Sequence, residues 1–301
     1  FAQDWNVDSR TRIDMSGEND KFEAAERANL GVTWEGDDWG IHISTVVNYD
    51  MNAGEEANLD VNEAYASTDL MGFASLTVGR QALNYGSGMI VGSNDWGTNA
   101  YTRDAFVFGL GLEMADVTLG YASRMSGDSL TDGSTGMWAN VNKAQDDWSV
   151  NLLYVTQTAT VGDVDGDAQT AMGLDLGYAM MDGALNLNAS YNTASDGTTD
   201  MDMNSVGATY SVNDDATIHA TYSQYGENGF ALAGSNYGSG SGSWMTHGNM
   251  GTLSADDVDL AIGGTYAMGD FNASATMHSV TNDEWEWVGE DGSTSAYDRT
   301  A

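Results

Sequence analysis

The sequence predicts an all-β fold, a transmembrane antiparallel β-barrel that forms a single domain over residues 1–301. Three observations predict it: apolar and polar residues alternate along many segments, short turn signals recur between these segments, and proline is absent. Period-2 alternation indicates strands with one apolar face, and strands paired on both edges have no place for proline. The longest apolar runs fall far short of the ~20 residues that a membrane-spanning helix needs.

The alternation is clearest in the segments beside the turns. Trp39, Ile41 and Ile43 lie on one side of a predicted strand, and Gly40 and His42 lie on the other. A barrel strand crosses a bilayer with about 10 residues, of which every second one faces lipid. We therefore expect the apolar phase to face outward and the polar phase to face the lumen.

Short turn signals and longer polar stretches alternate along the chain. The tight turns are expected at 36–38, 71–72, 115–116, 145–147, 181–183, 213–215 and 269–270. The long loops are expected at 50–58, 84–102, 125–136, 158–169, 193–203, 225–256 and 279–298. Tight turns at one end and long loops at the other are typical of outer-membrane barrels, in which the turns are periplasmic and the loops extracellular.

Aromatic residues separate a barrel in lipid from a soluble sandwich, which would also alternate. One row in the apolar phase lies beside the turns: Trp34, Trp39, Trp148, Tyr178, Tyr210, Tyr266 and Phe271. A second row lies near the far ends of strands: Tyr49, Tyr121, Tyr154, Tyr191 and Tyr222. Two such rows around an aliphatic band indicate the aromatic girdles of a membrane barrel.

The hairpins give fourteen strands, and the segment from Trp5 to Met15 adds a fifteenth. An odd count leaves unpaired edges, which lipid does not tolerate. We therefore expect a 16-stranded barrel, with 18 strands as the alternative, whose C-terminal closing strand lies beyond residue 301.

The charge is strongly acidic, with 45 Asp and Glu residues against 9 Lys and Arg residues and a net charge of −36. Such a chain repels the phosphates of nucleic acid, so no nucleic-acid partner is expected. Either the charge is a solvated surface of a salt-adapted protein, or it concentrates cations at the mouth of a channel. Cysteine is absent, and the four histidines lie on separate hairpins without a nucleophile motif, so we expect no enzyme.

The few basic residues occupy lumen-facing positions. Arg10, Arg12, Arg27 and Arg124 fall in the polar phase of their strands. Asp8, Asp14 and His42 fall in the same phase. The arginines either set a transverse field across the pore or neutralise these carboxylates and hold the wall rigid.

A longer motif goes beyond this alternation. Val78-Gly79-Arg80-Gln81 is followed by Gly92-Ser93-Asn94-Asp95-Trp96 and by Arg103-Asp104-Ala105, and Asn62-Glu63-Ala64-Tyr65 precedes it. Together with the opening residues 5–12, the motif resembles the alginate-export-like porins of Gram-negative bacteria. The resemblance covers roughly the first third of the chain.

The resemblance implies an outer-membrane channel with an arginine-lined pore. By this resemblance, Arg80 and Arg103 are among the residues that line it. It also implies that the loop 84–102 folds inward as a constriction. Strict alternation from Leu76 and Val78 points Arg80 outward, so a pore position requires a bulge at Gly79 or a place at the rim. If Leu59 and Val61 face outward, strict alternation points Glu63 outward as well, so the sequence does not decide which face of the strand carries Glu63. Such porins are often homotrimers.

Asp163, Asp165 and Asp167 place oxygen ligands at alternate positions around Gly166, as calcium loops do, although no Glu follows at the usual place. Three functions therefore stay open. The first is a cation-favouring diffusion channel for small hydrophilic solutes and ions. The second is a selective channel for oligosaccharides or carboxylates. The third is a soluble, acidic, calcium-binding surface protein.

Overall fold

The computed structural model describes residues 2–14, 23–51, 57–93, 101–125, 133–162, 164–230, 253, 255–288 and 294–300. The first strands are β1 Ala2–Asp14, β2 Glu23–Glu35, β3 Trp39–Asp50, β4 Asn58–Leu70, β5 Ala74–Ala82, β6 Thr102–Gly111, β7 Asp116–Met125, β8 Gly133–Ala144 and β9 Trp148–Val161. The remaining strands are β10 Val164–Asp165, β11 Gln169–Met180, β12 Leu185–Ser195, β13 Asp200–Asn213, β14 Ala216–Tyr225, β15 Val258–Met268, β16 Phe271–Val288 and β17 Thr294–Thr300.

The strands form one antiparallel sheet in which each long strand pairs with the next along the chain, from β1 with β2 to β16 with β17. The two-residue β10 extends the edge of β9. Within the described ranges there are thus sixteen long strands, and the prediction of a 16-stranded antiparallel fold is confirmed. Among these residues no helix is long and apolar enough to cross a membrane.

The sheet has two chemically different faces. The outer face carries exposed apolar side chains such as Trp5, Val7, Phe106, Leu174 and Tyr191. The inner face carries the alternate residues, and those of well-separated strands meet in one buried cluster. That cluster includes Ala105 of β6, Trp138 of β8, Leu153 of β9, Ala171 of β11, Met203 of β13, Tyr225 of β14 and Val280 of β16. Such distant strands meet because the sheet curves around its inner face, as in a barrel.

All the expected tight turns connect consecutive strands, but strands extend into several of the expected loops. Residues 193–203 lie mostly in β12 and β13, and a turn over Asp196–Thr199 joins these strands. Residues 279–298 supply the end of β16 and most of β17, which provides the sixteenth long strand within the described chain. The expectation of a closing strand beyond residue 301 stays a prediction.

Register shifts decide which side chains face inward. Between β3 and β4, Ser44 pairs with Glu63 and Thr45 pairs with Val61, so Asn62 is an extra residue in β4. Such a bulge reverses the alternation of the strand. Leu59 and Val61 are exposed on the outer face, whereas Glu63 and Tyr65, beyond the bulge, lie on the inner face with His42.

Candidate functional site: the inward loop and the inner wall

The segment that follows β5 turns onto the inner face of the sheet. Leu83, Met89, Ile90 and Val91 are buried and belong to the cluster formed by the inner-face residues of β6 to β16. A Cβ atom on Gly173 of β11 would lie 3.0 Å from Ile90 Cδ1. Residues 83–93 therefore pack inside the curve of the sheet. Residues 94–100, the rest of the predicted constriction loop, fall outside the described residues.

Two contacts attach this inward segment to the wall. Trp138 Nε1 donates a hydrogen bond of 3.0 Å to the hydroxyl of Tyr85, and the two rings lie 6.3 Å apart. Burial raises the pKa of Tyr85, and the hydrogen bond from Trp138 opposes this rise. Gly86 has a φ of +57°, a conformation that favours glycine, and a Cβ there would lie 1.8 Å from Asp175 Oδ2.

The start of the segment, its root at the end of β5, is attached to both neighbouring strands. Gly79 has a φ of +128°, and a Cβ there would lie 2.3 Å from the carbonyl oxygen of Ala64. On the inner face, Gln81 is buried, and its Nε2 donates to the carbonyl oxygens of Gly79 and Ala105 at 3.3 and 3.4 Å. The backbone amide of Ala82 donates to Glu63 Oε1 at 2.9 Å. These contacts join the end of β5 to β4 and β6.

The inner wall of β1 to β4 carries most of the charged residues that the sequence singled out. Arg10 lies directly opposite Arg27, and Asp8 lies opposite Asn29, whose Nδ2 donates to Asp8 Oδ2 at 3.1 Å. His42 stacks on Tyr65 at a centroid distance of 5.1 Å. The strand positions of Arg12, Asp14 and Arg124 are known from their cross-strand partners Ala25, Glu23 and Ser134, and their side chains fall outside the described atoms.

A sequence model of Gram-negative porins matches residues 1–299 of the chain. This chain belongs to the Gram-negative porin family. It therefore lies in the bacterial outer membrane, where it is a multi-pass passive channel for small hydrophilic solutes and ions rather than an enzyme. The family assignment also decides against the soluble surface protein. The turns are accordingly periplasmic and the loops extracellular. No curated protein matches the chain in sequence.

Solved porins have the same fold as this porin. OmpF of Salmonella typhi, solved in complex with daunomycin, has a TM-score of 0.62 at 14% identity, over 92% of this chain and 89% of OmpF. The anion-selective porin from Comamonas acidovorans has a TM-score of 0.60 at 13% identity, over 99% and 95% of the two chains. OccK8 of Pseudomonas aeruginosa has a TM-score of 0.60 at 12% identity, over 99% and 85%.

Arg80 departs from the predicted pore group. It pairs across the sheet with Ala64 and Asp104, in the same phase as the exposed Phe106. Its Nε and Nη2 each donate to a carboxylate oxygen of Asp104 at 3.0 Å. The register between β4 and β5 continues past Gly79 without a bulge, so Arg80 stays on the outer face of the porin. Arg103 lies in the opposite phase, is half-buried, and faces inward beside Gln81.

The predicted calcium loop falls partly outside the described residues, because Asp163 is not among them. Asp165 accepts a hydrogen bond of 2.7 Å from Thr160 Oγ1, and Asp167 is exposed beside Gly197. In the described part of the chain, no group of three or more His, Cys, Asp or Glu residues could hold a metal ion. Calcium binding stays a prediction.

Several inner-face contacts of this porin were not singled out from the sequence. Asp259 lies 2.9 Å from His278 Nδ1, and both residues are buried. Asp175 lies beneath the inward segment, and Glu63 contacts both its root and the wall. Alternation places Asp175, Asp259 and His278 inward, but only the register and the path of the inward segment show which side chains meet.

Proposed function

We propose that this porin is a general diffusion channel that favours small cations, and that the loop 84–102 narrows its lumen. The observation that carries the proposal is the burial of Met89, Ile90 and Val91 among inner-face residues. A segment held inside a barrel takes up lumen cross-section, and so limits solute size. The described cluster contains no residue of β1 to β5, so solutes would pass along that wall.

Most of the residues proposed to line the pore lie on this uncovered wall, and Arg103 of β6 and Arg124 of β7 lie beside it. The full set is Asp8, Arg10, Arg27, His42 and Arg103, with Arg12, Asp14 and Arg124 added from the alternation of their strands. Cationic and anionic side chains on a narrow wall impose a field on dipolar solutes and ions. Arg80 is left out because its ion pair with Asp104 lies on the outer face.

The cation preference is proposed from the net charge of −36. Negative potential at the two mouths raises the local concentration of cations above that of anions. The test is reconstitution of the purified porin in planar bilayers under a gradient of KCl. We expect a reversal potential that reports K⁺ permeating faster than Cl⁻. A reversal potential of the opposite sign would contradict the preference, and a bilayer without conductance would contradict the channel itself.

A second candidate is a more selective channel for carboxylated oligosaccharides, of the alginate-export-like kind that the motif around Arg80 and Arg103 resembles. The cross-strand pair of Arg10 and Arg27 on the inner face favours it, because two adjacent guanidinium groups can bind a carboxylate. Oligomers of an acidic sugar should then block the current, and replacing both arginines with glutamine should abolish the block. An unchanged block in the double variant would refute this candidate.

We also propose that the porin assembles as a homotrimer and that Asp163, Asp165 and Asp167 hold Ca²⁺ in an extracellular loop. Light scattering of the detergent-solubilised porin tests the first proposal, since a monomeric mass would refute it. Isothermal titration with CaCl₂, compared between the porin and its D165N/D167N variant, tests the second. Equal heats in the two titrations would refute a calcium site at these residues.

A further inference from the structure

We infer that Glu63 is a positioning residue that fixes the root of the inward loop, and that His42 orients its carboxylate for this purpose. The inference deepens the proposed function, because it rests on the loop 84–102 being the narrow part of the pore. In this role Glu63 limits the fluctuations of the loop, and therefore of the open-channel current, without contacting solutes.

The first argument is the hydrogen bond between Glu63 Oε1 and the backbone amide of Ala82, at 2.9 Å. The ladder between β4 and β5 stops at the pair of Ala64 and Arg80, so β4 offers the amide of Ala82 no ladder partner. The carboxylate of Glu63 takes the place of the missing carbonyl acceptor. Ala82 is the last residue of β5, and the next residue, Leu83, is already buried in the inner cluster.

The second argument is the bulge in β4. The extra residue Asn62 brings Glu63 to the inner face, on which His42 also lies. Without this bulge, strict alternation from Leu59 and Val61 would point Glu63 into lipid, where an ionised carboxylate is costly. A bulge changes the direction in which the following side chains point, and this bulge directs Glu63 to the end of β5, where the inward loop begins.

The third argument is the set of contacts around His42. A hydrogen bond of 2.8 Å joins its Nδ1 to Thr33 Oγ1, and its ring stacks on Tyr65 at an interplanar angle of 24°. The ring is thus held on two sides, and its Nε2 lies 3.6 Å from Glu63 Oε2. The two carboxylate oxygens are therefore directed to different partners, one on the wall and one at the loop root. Side chains fixed in this way by neighbours hold a geometry more precisely than free ones.

The experiment records single-channel currents of the full chain in planar bilayers and compares variants at Glu63. Glu63→Gln keeps an oxygen that can accept from the Ala82 amide but removes the charge. Glu63→Asp keeps the charge, but its shorter side chain does not reach the amide. We expect Glu63→Asp to raise the excess open-channel noise by roughly tenfold, since a hydrogen bond to a charged acceptor shifts an opening equilibrium by about that factor. Glu63→Gln should raise the noise less than Glu63→Asp does, because a neutral acceptor keeps part of the hydrogen bond.

Asp60→Asn is the matched control, because it removes one carboxylate from the exposed, inner-face part of the same strand. It should leave the noise unchanged. Excess noise in both Glu63→Gln and Asp60→Asn, with a quiet Glu63→Asp, would show that charge alone matters and would overturn the inference. Native-like noise in Glu63→Asp would overturn it as well.

Folding and the proposed function are checked separately. Heat-modifiable migration on gels shows whether each variant is a folded barrel. Should Glu63→Asp fail to fold, His42→Ala supplies the second test, since it releases Glu63 Oε2 and should raise the noise by a smaller factor. Native-like noise in His42→Ala would then overturn the role of His42. A native chain that does not conduct refutes the proposed function, whereas a conducting native chain with a quiet Glu63→Asp refutes only the role of Glu63.

Discussion

Tyr85 and Trp138 are 53 residues apart in sequence, and their side chains meet inside the barrel through a 3.0 Å hydrogen bond. The indole of Trp138 is buried on the inner face of β8, and Tyr85 belongs to the segment that enters the lumen after β5. One polar contact within an apolar cluster thus fixes the register of the segment against the wall. A buried donor without its acceptor is unfavourable, so the contact is specific as well as stabilising.

Replacing Tyr85 with phenylalanine tests this contact. The substitution removes the hydroxyl that accepts from the buried Trp138 N–H, and the loss of this hydrogen bond should lower the free energy of unfolding by about 1 kcal/mol. Urea unfolding of the reconstituted porin, followed by tryptophan fluorescence, measures the change. Tyr154→Phe is the matched control, because Tyr154 is exposed on the outer face and its loss of a hydroxyl should be near neutral. Equal effects of the two substitutions would contradict a structural role for the Tyr85 hydroxyl.

Replacing Gly86 with alanine tests how closely the segment approaches the wall. The added Cβ would lie 1.8 Å from Asp175 Oδ2, so the Asp175 side chain or the segment must shift, and a shift of the segment away from β11 narrows the lumen. We expect a lower single-channel conductance than in the native porin. Gly269→Ala is the control for backbone strain, because Gly269 has a similar φ of +63° with open space around it. Native conductance in Gly86→Ala would contradict a displacement of the segment into the lumen.

The sequence was sufficient for the parts of the structure that depend on local periodicity. Alternation in β3 and the aromatic rows predicted the faces of the sheet, because a strand has a fixed period of 2. It also points Arg80 outward from Leu76 and Val78, where the structure has it, whereas the resemblance had put Arg80 in the pore. Bulges and long-range contacts are different. The face on which Glu63 lies depends on one extra residue, Asn62, and the packing of Ile90 depends on the curvature of the whole sheet.

Neutralising the inner arginines tests the electrostatics of the pore. Arg10→Gln and Arg27→Gln each remove a positive charge from the inner wall, so the ratio of K⁺ to Cl⁻ permeability should rise in both variants. The reversal potential under a salt gradient measures this ratio. Arg80→Gln is the matched control, since it removes the same charge from the outer face, and it should leave the ratio unchanged. A shift in Arg80→Gln as large as in Arg10→Gln would show that total charge, rather than its place on the inner wall, sets the selectivity.

The extracellular turn between β12 and β13 should respond to pH through Asp196. Its Oδ1 accepts hydrogen bonds from the backbone amides of Thr198 and Thr199 at 2.9 and 2.7 Å. The hydrogen bonds from the Thr199 and Thr198 amides lower the pKa of Asp196 below its ordinary value. The carboxylate therefore stabilises the turn above the unfolded-state pKa of about 3.9, and this contribution is lost as the pH falls through the lowered value.

Asp196→Ala should accordingly open the turn at neutral pH and have little effect in strong acid. Hydrogen exchange of the peptide that spans residues 193–203, followed by mass spectrometry after correction for the intrinsic rate at each pH, measures the opening. The protection lost in Asp196→Ala should shrink as the pH falls below about 3.9, and it should vanish below the lowered pKa of the native side chain, where that side chain is protonated as well. Asp214→Ala, in the exposed periplasmic turn between β13 and β14, is the control, and exchange in 193–203 should not respond to it. A loss of protection in Asp196→Ala that is the same at all pH values would show that the side chain acts by its bulk and not by its charge.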